Sequence, residues 1–306
     1  MPTNLLIITI VISSVLLILI IIYFIICGHL VKSLSHPKRF EMDYTYQVDV
    51  DKGLIPPQIP YPKKSIVITM RDKTEIHGDL YLHEKPVGVV ILAHGYTWTR
   101  NGSLKYAQIF YKLGYTCLVY DQRGHGENKT DYCTMGYFEG KDLNDIISWT
   151  QKEFPSLPIG LHGESMGGAT VMMALKENPR LQFVIEDCGY SSLYELIKYK
   201  LKQMHLIPAL FIHTADWLLK ISRGYHLKDV NPAEVVSKSN VPLLIIHGED
   251  DEFVPTYMAN KIHEARLDSS QVVIFKKADH ALSYQTNPIR YEMIVRGFVE
   301  KIRKEK

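Results

Sequence analysis

The chain has 306 residues, which allows one large α/β domain or two small ones. Its apolar share of 46% and charged share of 22% are those of an ordinary globular protein with ample material for a core. Lys and Arg total 35 against 33 Asp and Glu, so no basic domain stands out and no nucleic-acid partner is expected; fixed-period repeats and low-complexity tracts are absent from the sequence.

The N-terminus departs from that average. Residues 5–27 are apolar and uncharged, interrupted only by Thr9, Ser13 and Ser14. At 1.5 Å per residue the run spans about 34 Å, enough to cross a bilayer with some tilt. No Lys or Arg precedes it and no small-residue cleavage site follows. A transmembrane anchor over residues 1–30 is therefore expected rather than a cleaved signal peptide. Lys32, Lys38 and Arg39 follow the run, which by the positive-inside rule places the rest of the chain in the cytoplasm. Residues 31–64, with Pro37, Pro56, Pro57, Pro60 and Pro62, read as a linker running extended over the surface of a domain that occupies 65–306. Cys27, Cys117, Cys133 and Cys188 have no paired spacing and read as free thiols. The sequons at Asn101 and Asn128 matter only in a secretory compartment and are taken as coincidence.

From residue 65 onward strand-like and helix-like segments succeed one another. Residues 65–70 and 76–82 read as strands around the turn Arg71-Asp72-Lys73. Strands follow at 87–93, 116–120, 159–162, 183–186, 241–246 and 272–275. Between and after them, helices are expected over 104–113, 141–154, 166–178, 256–265 and 289–301, with a mostly helical stretch over 191–238. Apolar runs that are continuous rather than alternating, each separated by a helix, indicate a mostly parallel eight-stranded sheet with helices on both faces. Residues 188–240 would form a small helical cap insertion.

The fifth strand runs into Gly163-x-Ser165-x-Gly167 and then a helix, the nucleophile-elbow spacing. Glycines are needed there because a side chain would strike the neighbouring strand or helix, and the helix N-terminus behind the serine favours a developing oxyanion. A glycine-rich turn can carry that spacing by chance, so the weight rests on the other strand ends, outside which ligands bind in such sheets. Those ends carry His94-Gly95-Tyr96, Asp121-Gln122-Arg123-Gly124-His125-Gly126, Asp187, His247-Gly248-Glu249-Asp250-Asp251 and Asp279-His280. A serine needs a base, and the base needs a carboxylate. If the order is serine, acid, histidine, then His263 and His280 are the available bases; His263 falls inside a predicted helix and His280 on a loop after a strand, which selects His280. Among the acids, Asp187 is as readily explained by bonding the loop backbone and Asp250 by capping the turn, which leaves Asp251.

Rival chemistries fit less well. His94, His162 and His247 all lie at strand ends, but no H-x-H-x-D or H-E-x-x-H spacing accompanies them, so no metal is expected. Gly124-His125-Gly126 lacks the third glycine of a dinucleotide loop, and 136–141 is one residue short of a P-loop. No organic cofactor is expected either.

Together these motifs, with Val254-Pro255 after Asp251, resemble the α/β-hydrolase superfamily over residues 65–302. Within it the chain is similar to the serine esterase, monoglyceride-lipase-like and serine-aminopeptidase-like branch. The resemblance implies Ser165 as nucleophile, His280 as base and Asp251 as acid. It implies an oxyanion hole formed by the backbone N–H groups of Tyr96 and Met166, and a structural role for the Asp121 loop. The implied activity is hydrolysis of small or lipid-like acyl esters through an acyl-enzyme, by a membrane-anchored protein with no metal or organic cofactor. A serine peptidase or amidase is the nearest alternative and should hold a carboxylate near the pocket for a substrate ammonium; a non-catalytic membrane scaffold is the other. Two features depart from the pattern: Glu164 stands where many esterases have His, and the cap is short. Cap residues such as Leu193, Ile197, Leu201, Phe211 and Trp217 could line an acyl pocket but are expected chiefly to pack the insertion onto the core, and Lys198, Lys200 and Lys202 to form a solvated face.

Overall fold

Eight strands make one sheet, and their order explains their sequence. The computed structural model describes residues 2–305, with side chains from residue 5; Met1 and Lys306, the outer ends of the expected anchor and domain, lie outside the described residues. The strands are β1 (Lys63–Thr69), β2 (Glu75–Tyr81), β3 (Gly88–Ala93), β4 (Tyr115–Tyr120), β5 (Ile159–Glu164), β6 (Phe183–Asp187), β7 (Leu243–Gly248) and β8 (Ser270–Phe275). They lie in the order β1-β2-β4-β3-β5-β6-β7-β8, antiparallel where β2 meets β1 and β4 and parallel elsewhere.

The helices are α1 (Pro2–Ser35), α2 (Met42–Asp51), α3 (Leu104–Lys112), α4 (Tyr137–Glu153), α5 (Met166–Ala174), α6 (Leu193–Gln203), α7 (Pro208–Arg223), α8 (Pro232–Ser237), α9 (Tyr257–Glu264), α10 (Ser283–Thr286) and α11 (Pro288–Lys304). Helices α3 and α11 cover one face, where Val90 and Leu92 of β3 meet Tyr106, Phe110 and Phe298. Helices α4, α5, α8 and α9 cover the other, where Ile91 and Ala93 meet Leu143, Ile146 and Val171. Successive β3 residues thus enter opposite cores, and a strand buried on both sides reads as one apolar run. The strand order reverses around β3, with β4 on one side and β5 on the other. The crevice for a ligand therefore lies between the ends of β3 and β5.

Helix α4 begins at Tyr137, ahead of the expected start at 141. Gly136 in the left-handed region (φ 102°) turns the chain, and the Glu139 carboxylate accepts from the amides of Thr134 and Gly136 at 2.7 and 2.8 Å. A start made by polar caps leaves no trace in apolar periodicity.

The segment expected to run extended between anchor and domain does not. Helix α1 continues to Ser35, and α2 occupies the middle of the segment. Helix α2 packs Tyr46 and Val50 against the core and adds polar contacts: Thr45 bonds Thr99 at 2.7 Å, and the Trp98 indole donates to Asp49 at 3.4 Å. Its prolines fall outside it, Pro37 before and Pro56, Pro57, Pro60 and Pro62 after, where they break helices instead of extending a linker.

Helix α1 is long and apolar enough to cross a membrane, and residues 5–22 are all exposed. Its last turns are different. Cys27 and Ser35 are buried, and the helix lies along α7, where Tyr23 donates to the Leu210 carbonyl at 2.7 Å.

Candidate active site

Ser165 sits in a backbone conformation that a serine rarely adopts, φ 56° and ψ −115°, between β5 and the first turn of α5. Two glycines permit it. A Cβ at Gly163 would overlap the Gly167 carbonyl, and one at Gly167 would overlap the carbonyl of Ala93 at the end of β3. The turn is closed by the Ser165 amide donating to the Asp187 carbonyl at 2.7 Å.

Three groups named from the sequence converge. Ser165 Oγ is 2.8 Å from His280 Nε2, and His280 Nδ1 is 2.8 Å from Asp251 Oδ2. The other Asp251 oxygen accepts from the amides of Phe253 and Val254 at 2.9 and 2.8 Å. A second imidazole, His247, stands 3.2 Å from Oδ2 while its Nε2–H is also 2.8 Å from the Val254 carbonyl. Burial alone would raise the Asp251 carboxyl, but hydrogen bonds from His247 and His280 outweigh it and hold the group well below the usual carboxylate range. Asp251 is therefore a fixed anion beside His280. An imidazole between such an anion and a hydroxyl can accept the hydroxyl's proton.

The rejected alternatives are accounted for by their contacts. His263 Nδ1 bonds Ser270 Oγ at 2.8 Å on helix α9, and the Asp250 side chain is exposed rather than capping the turn. Asp187 is buried, and its carboxylate accepts from the Tyr106 hydroxyl at 3.2 Å. The strand-end histidines are each spoken for. Burial drives His94 down to about 4 and His125 to about 3, so both are neutral; His94 bonds the Gly95 carbonyl and the Gln122 amide, and His125 accepts from the Thr97 amide at 3.1 Å. Between them they shape the loop that carries Tyr96. His162, also neutral at about 3 through burial, meets the Tyr291 hydroxyl at 3.0 Å. Neither the Tyr96 nor the Met166 amide is taken by a protein acceptor among the described residues.

The Asp121 loop is a brace. Asp121 accepts from the Arg100 guanidinium and amide and from the Glu127 amide, and a Cβ at Gly126 would overlap its carboxylate. Cys188 places a thiol with single atoms of Asp251 and His280 within 4.8 Å of one another. Burial holds that thiol protonated, and the other two groups are bonded to each other, so the donor set is that of an acid–base pair rather than a metal centre.

The sequence profile described as serine aminopeptidase, S33, matches residues 84–237. The chain belongs to this hydrolase family. The match covers the Tyr96 loop and the Ser165 elbow and stops short of Asp251 and His280, which the fold brings to them. YqkD of Bacillus subtilis is 31% identical over 224 residues, 72% of this chain and 73% of that one. The monoglyceride lipase of Rattus norvegicus is 28% identical over 96 residues, 31% of this chain and 32% of that one. Among solved structures, the Pyrococcus furiosus esterase Pf2001 superposes with a TM-score of 0.67 at 23% identity, covering 87% of this chain and 98% of its own. The esterase RhEst1 of a Rhodococcus species superposes at 0.56 with 16% identity, covering 78% and 99%.

In this hydrolase the sequence did not disclose the surroundings of Glu164. Its carboxylate is 2.6 Å from the Lys105 ammonium and bonds the Tyr106 hydroxyl, both on α3. Lys105 is buried, and although burial opposes its charge, Glu164 outweighs that and holds it protonated. A cavity of about 280 Å³ adjoins Ser165. Its lining is apolar apart from Tyr96, Tyr190, Ser33, Ser165 and Lys200, and contains no carboxylate among the described residues. Lys200 is thus not on a purely solvated face: it reaches the Glu252 carbonyl at 3.2 Å and lies 4.0 Å from the Phe253 ring, which itself stacks 4.8 Å from His280. Of the expected cap residues, Ile197, Leu201 and Leu219 both pack the cap and line the cavity, whereas Trp217 is exposed.

A buried acid behind the elbow makes a testable contribution to stability. Glu186 on β6 accepts from the Gly189 amide at 2.7 Å through one oxygen and has no partner among the described residues at the other. Burial pushes its carboxyl up to about 8 from an ordinary 4.5. The folded protein therefore keeps a proton that the unfolded chain releases, and this contribution is lost as pH rises from the lower value through the higher. Glu186→Gln has no proton to lose. Its melting temperature relative to the native protein should rise by several degrees between about pH 5 and about pH 8. A difference that stays constant over that range would mean that Glu186 is already ionised in the fold.

Proposed function

We propose that this hydrolase cleaves carboxylic esters with an apolar acyl group through an acyl-enzyme on Ser165. The hydrogen-bonded chain Ser165–His280–Asp251, at 2.8 Å for each link, carries the reading. His280 Nε2 takes the Ser165 proton as Oγ attacks the ester carbonyl, and Asp251 keeps the imidazole in the Nδ1–H tautomer. The amides of Tyr96 and Met166 receive the oxyanion, with the α5 N-terminus behind them. The alcohol leaves with the proton from His280, and water, deprotonated by the same nitrogen, releases the acid. Every step uses groups of the chain and water alone, without a metal or organic cofactor.

The ester reading is preferred to aminopeptidase action by the pocket's charge. A substrate ammonium needs a carboxylate; the cavity lining offers none, its one charged group is Lys200, and Glu164 is already paired with Lys105. The similarity to the Pyrococcus and Rhodococcus esterases and to the rat monoglyceride lipase supports the same reading. An intact acid–base–hydroxyl set also argues against a silent scaffold. We read α1 as a membrane anchor, with Lys32, Lys38 and Arg39 placing the hydrolase on the cytoplasmic side.

Nitrophenyl acyl esters should therefore be turned over with kcat/KM at least about a hundredfold above aminoacyl nitroanilides, the discrimination expected of a site lacking its partner for a buried charge. Faster cleavage of the anilides would transfer the assignment to the peptidase reading.

A further inference from the structure

The cavity beside Ser165 is not built by the sheet and cap alone. Leu30, Val31, Ser33 and Leu34 of α1 line it together with residues of α6 and α7. The Tyr96 phenol donates to the Ser33 carbonyl at 2.6 Å, so the same helix is tied to the loop bearing one proposed oxyanion amide. Further bonds hold α1 in place: Tyr23 to Thr214 at 2.5 Å, the Cys133 amide to the Ser35 carbonyl at 2.8 Å and, just past its end, Arg223 to His36 at 2.9 Å.

The position of this wall along the helix is informative. Residues 5–22 are exposed, as lipid-facing residues would be, and Ile25 is the last large apolar side chain to be so. Leu30 lies five residues further, about 7.5 Å along the axis. The headgroup layer of one leaflet is about 5–7 Å thick, so the cavity wall starts at its edge. Helix α7 repeats the signal. Leu210, Trp217 and Ile221 are exposed by 52%, 54% and 65% and share one stripe with Thr214, the residue that Tyr23 bonds. Apolar surface continuous with a spanning helix fits a bilayer surface.

We propose that the end of α1 is a specificity-determining wall of the acyl site, so that Leu30, Val31 and Leu34 set the length of acyl chain accepted from an ester held at the membrane surface. This rests on the ester reading above. The helix that anchors the protein also measures its substrate.

The test uses the full chain in liposomes and nitrophenyl esters of increasing acyl length. For Leu30→Trp and Leu34→Trp, the ratio of kcat/KM for the decanoyl ester to that for the acetyl ester should fall about tenfold, the equivalent of losing about two buried methylenes. Leu30→Ala and Leu34→Ala should shift the preferred chain length upward, and Leu17→Trp, in the exposed stretch, should leave the profile as it is. Fluorophosphonate labelling of Ser165 reports an intact site in each variant. Labelled Trp and Ala variants with the native chain-length profile would overturn the role of α1 and leave ester hydrolysis standing. A native protein that labels but turns over no ester of any length would instead overturn the ester reading.

Discussion

Ser165→Ala should abolish labelling by a fluorophosphonate and lower ester turnover by roughly 10⁴-fold or more, with a melting temperature close to that of the native protein. The hydroxyl is the group 2.8 Å from His280, while the strained turn around it is set by Gly163 and Gly167, which the substitution leaves alone. His280→Ala should lose activity to a similar degree, because groups that act as a unit fail together. His263→Ala should keep most of it, since that imidazole serves only Ser270. Undiminished labelling of Ser165→Ala would remove Ser165 from its role, and loss of activity in His263→Ala with retention in His280→Ala would exchange the bases.

The second large effect is on stability. Lys105→Met leaves the Glu164 carboxylate without its cation in a site where Lys105 and Glu164 side chains are only 7% and 13% exposed. Removing one partner of a buried pair costs about 3–5 kcal/mol, which should lower the melting temperature by roughly 10 °C. Lys105→Met combined with Glu164→Gln should recover more than half of that loss, because the stranded charge is gone. If the single variant melts with the native protein, the pair contributes nothing and Glu164 remains unexplained. If the double variant melts no higher than the single one, packing of the Lys105 stem rather than charge holds the site.

What the sequence made legible is what its spacing constrains. Gly163, Ser165 and Gly167 are adjacent in the chain, and the clash each glycine avoids is with a neighbouring strand or turn, so spacing alone conveys it. Asp251 and His280 were found because parallel strands deliver their successors to one edge. Glu164 was opaque for the opposite reason: its partners Lys105 and Tyr106 lie on α3, across the sheet edge from β5. His247 was noted only as a strand-end histidine, although a carboxylate at Asp251, four residues on, was in reach of it. Helix α2 is not legible because the apolar part of its packed face is limited to Tyr46 and Val50, while Thr45 and Asp49 pack by polar contacts that apolar periodicity does not register. The part of α1 that lines the cavity, Leu30, Val31, Ser33 and Leu34, lies past the apolar run, where His29 and Lys32 make the chain read as leaving the anchor for a linker.

The bonds at the two ends of α1's packed stretch, Tyr23 to α7 and Ser35 to Cys133, make the helix a mount rather than a tether. A tethered catalyst swings through a volume of solvent set by its linker, whereas a mounted one, if α1 is the proposed anchor, keeps its opening at one height and one tilt above the lipid. On the proposed anchor and ester readings, collisions with substrate would occur by lateral diffusion in a plane, and turnover would follow the surface density of the ester in the bilayer rather than its concentration in the surrounding water.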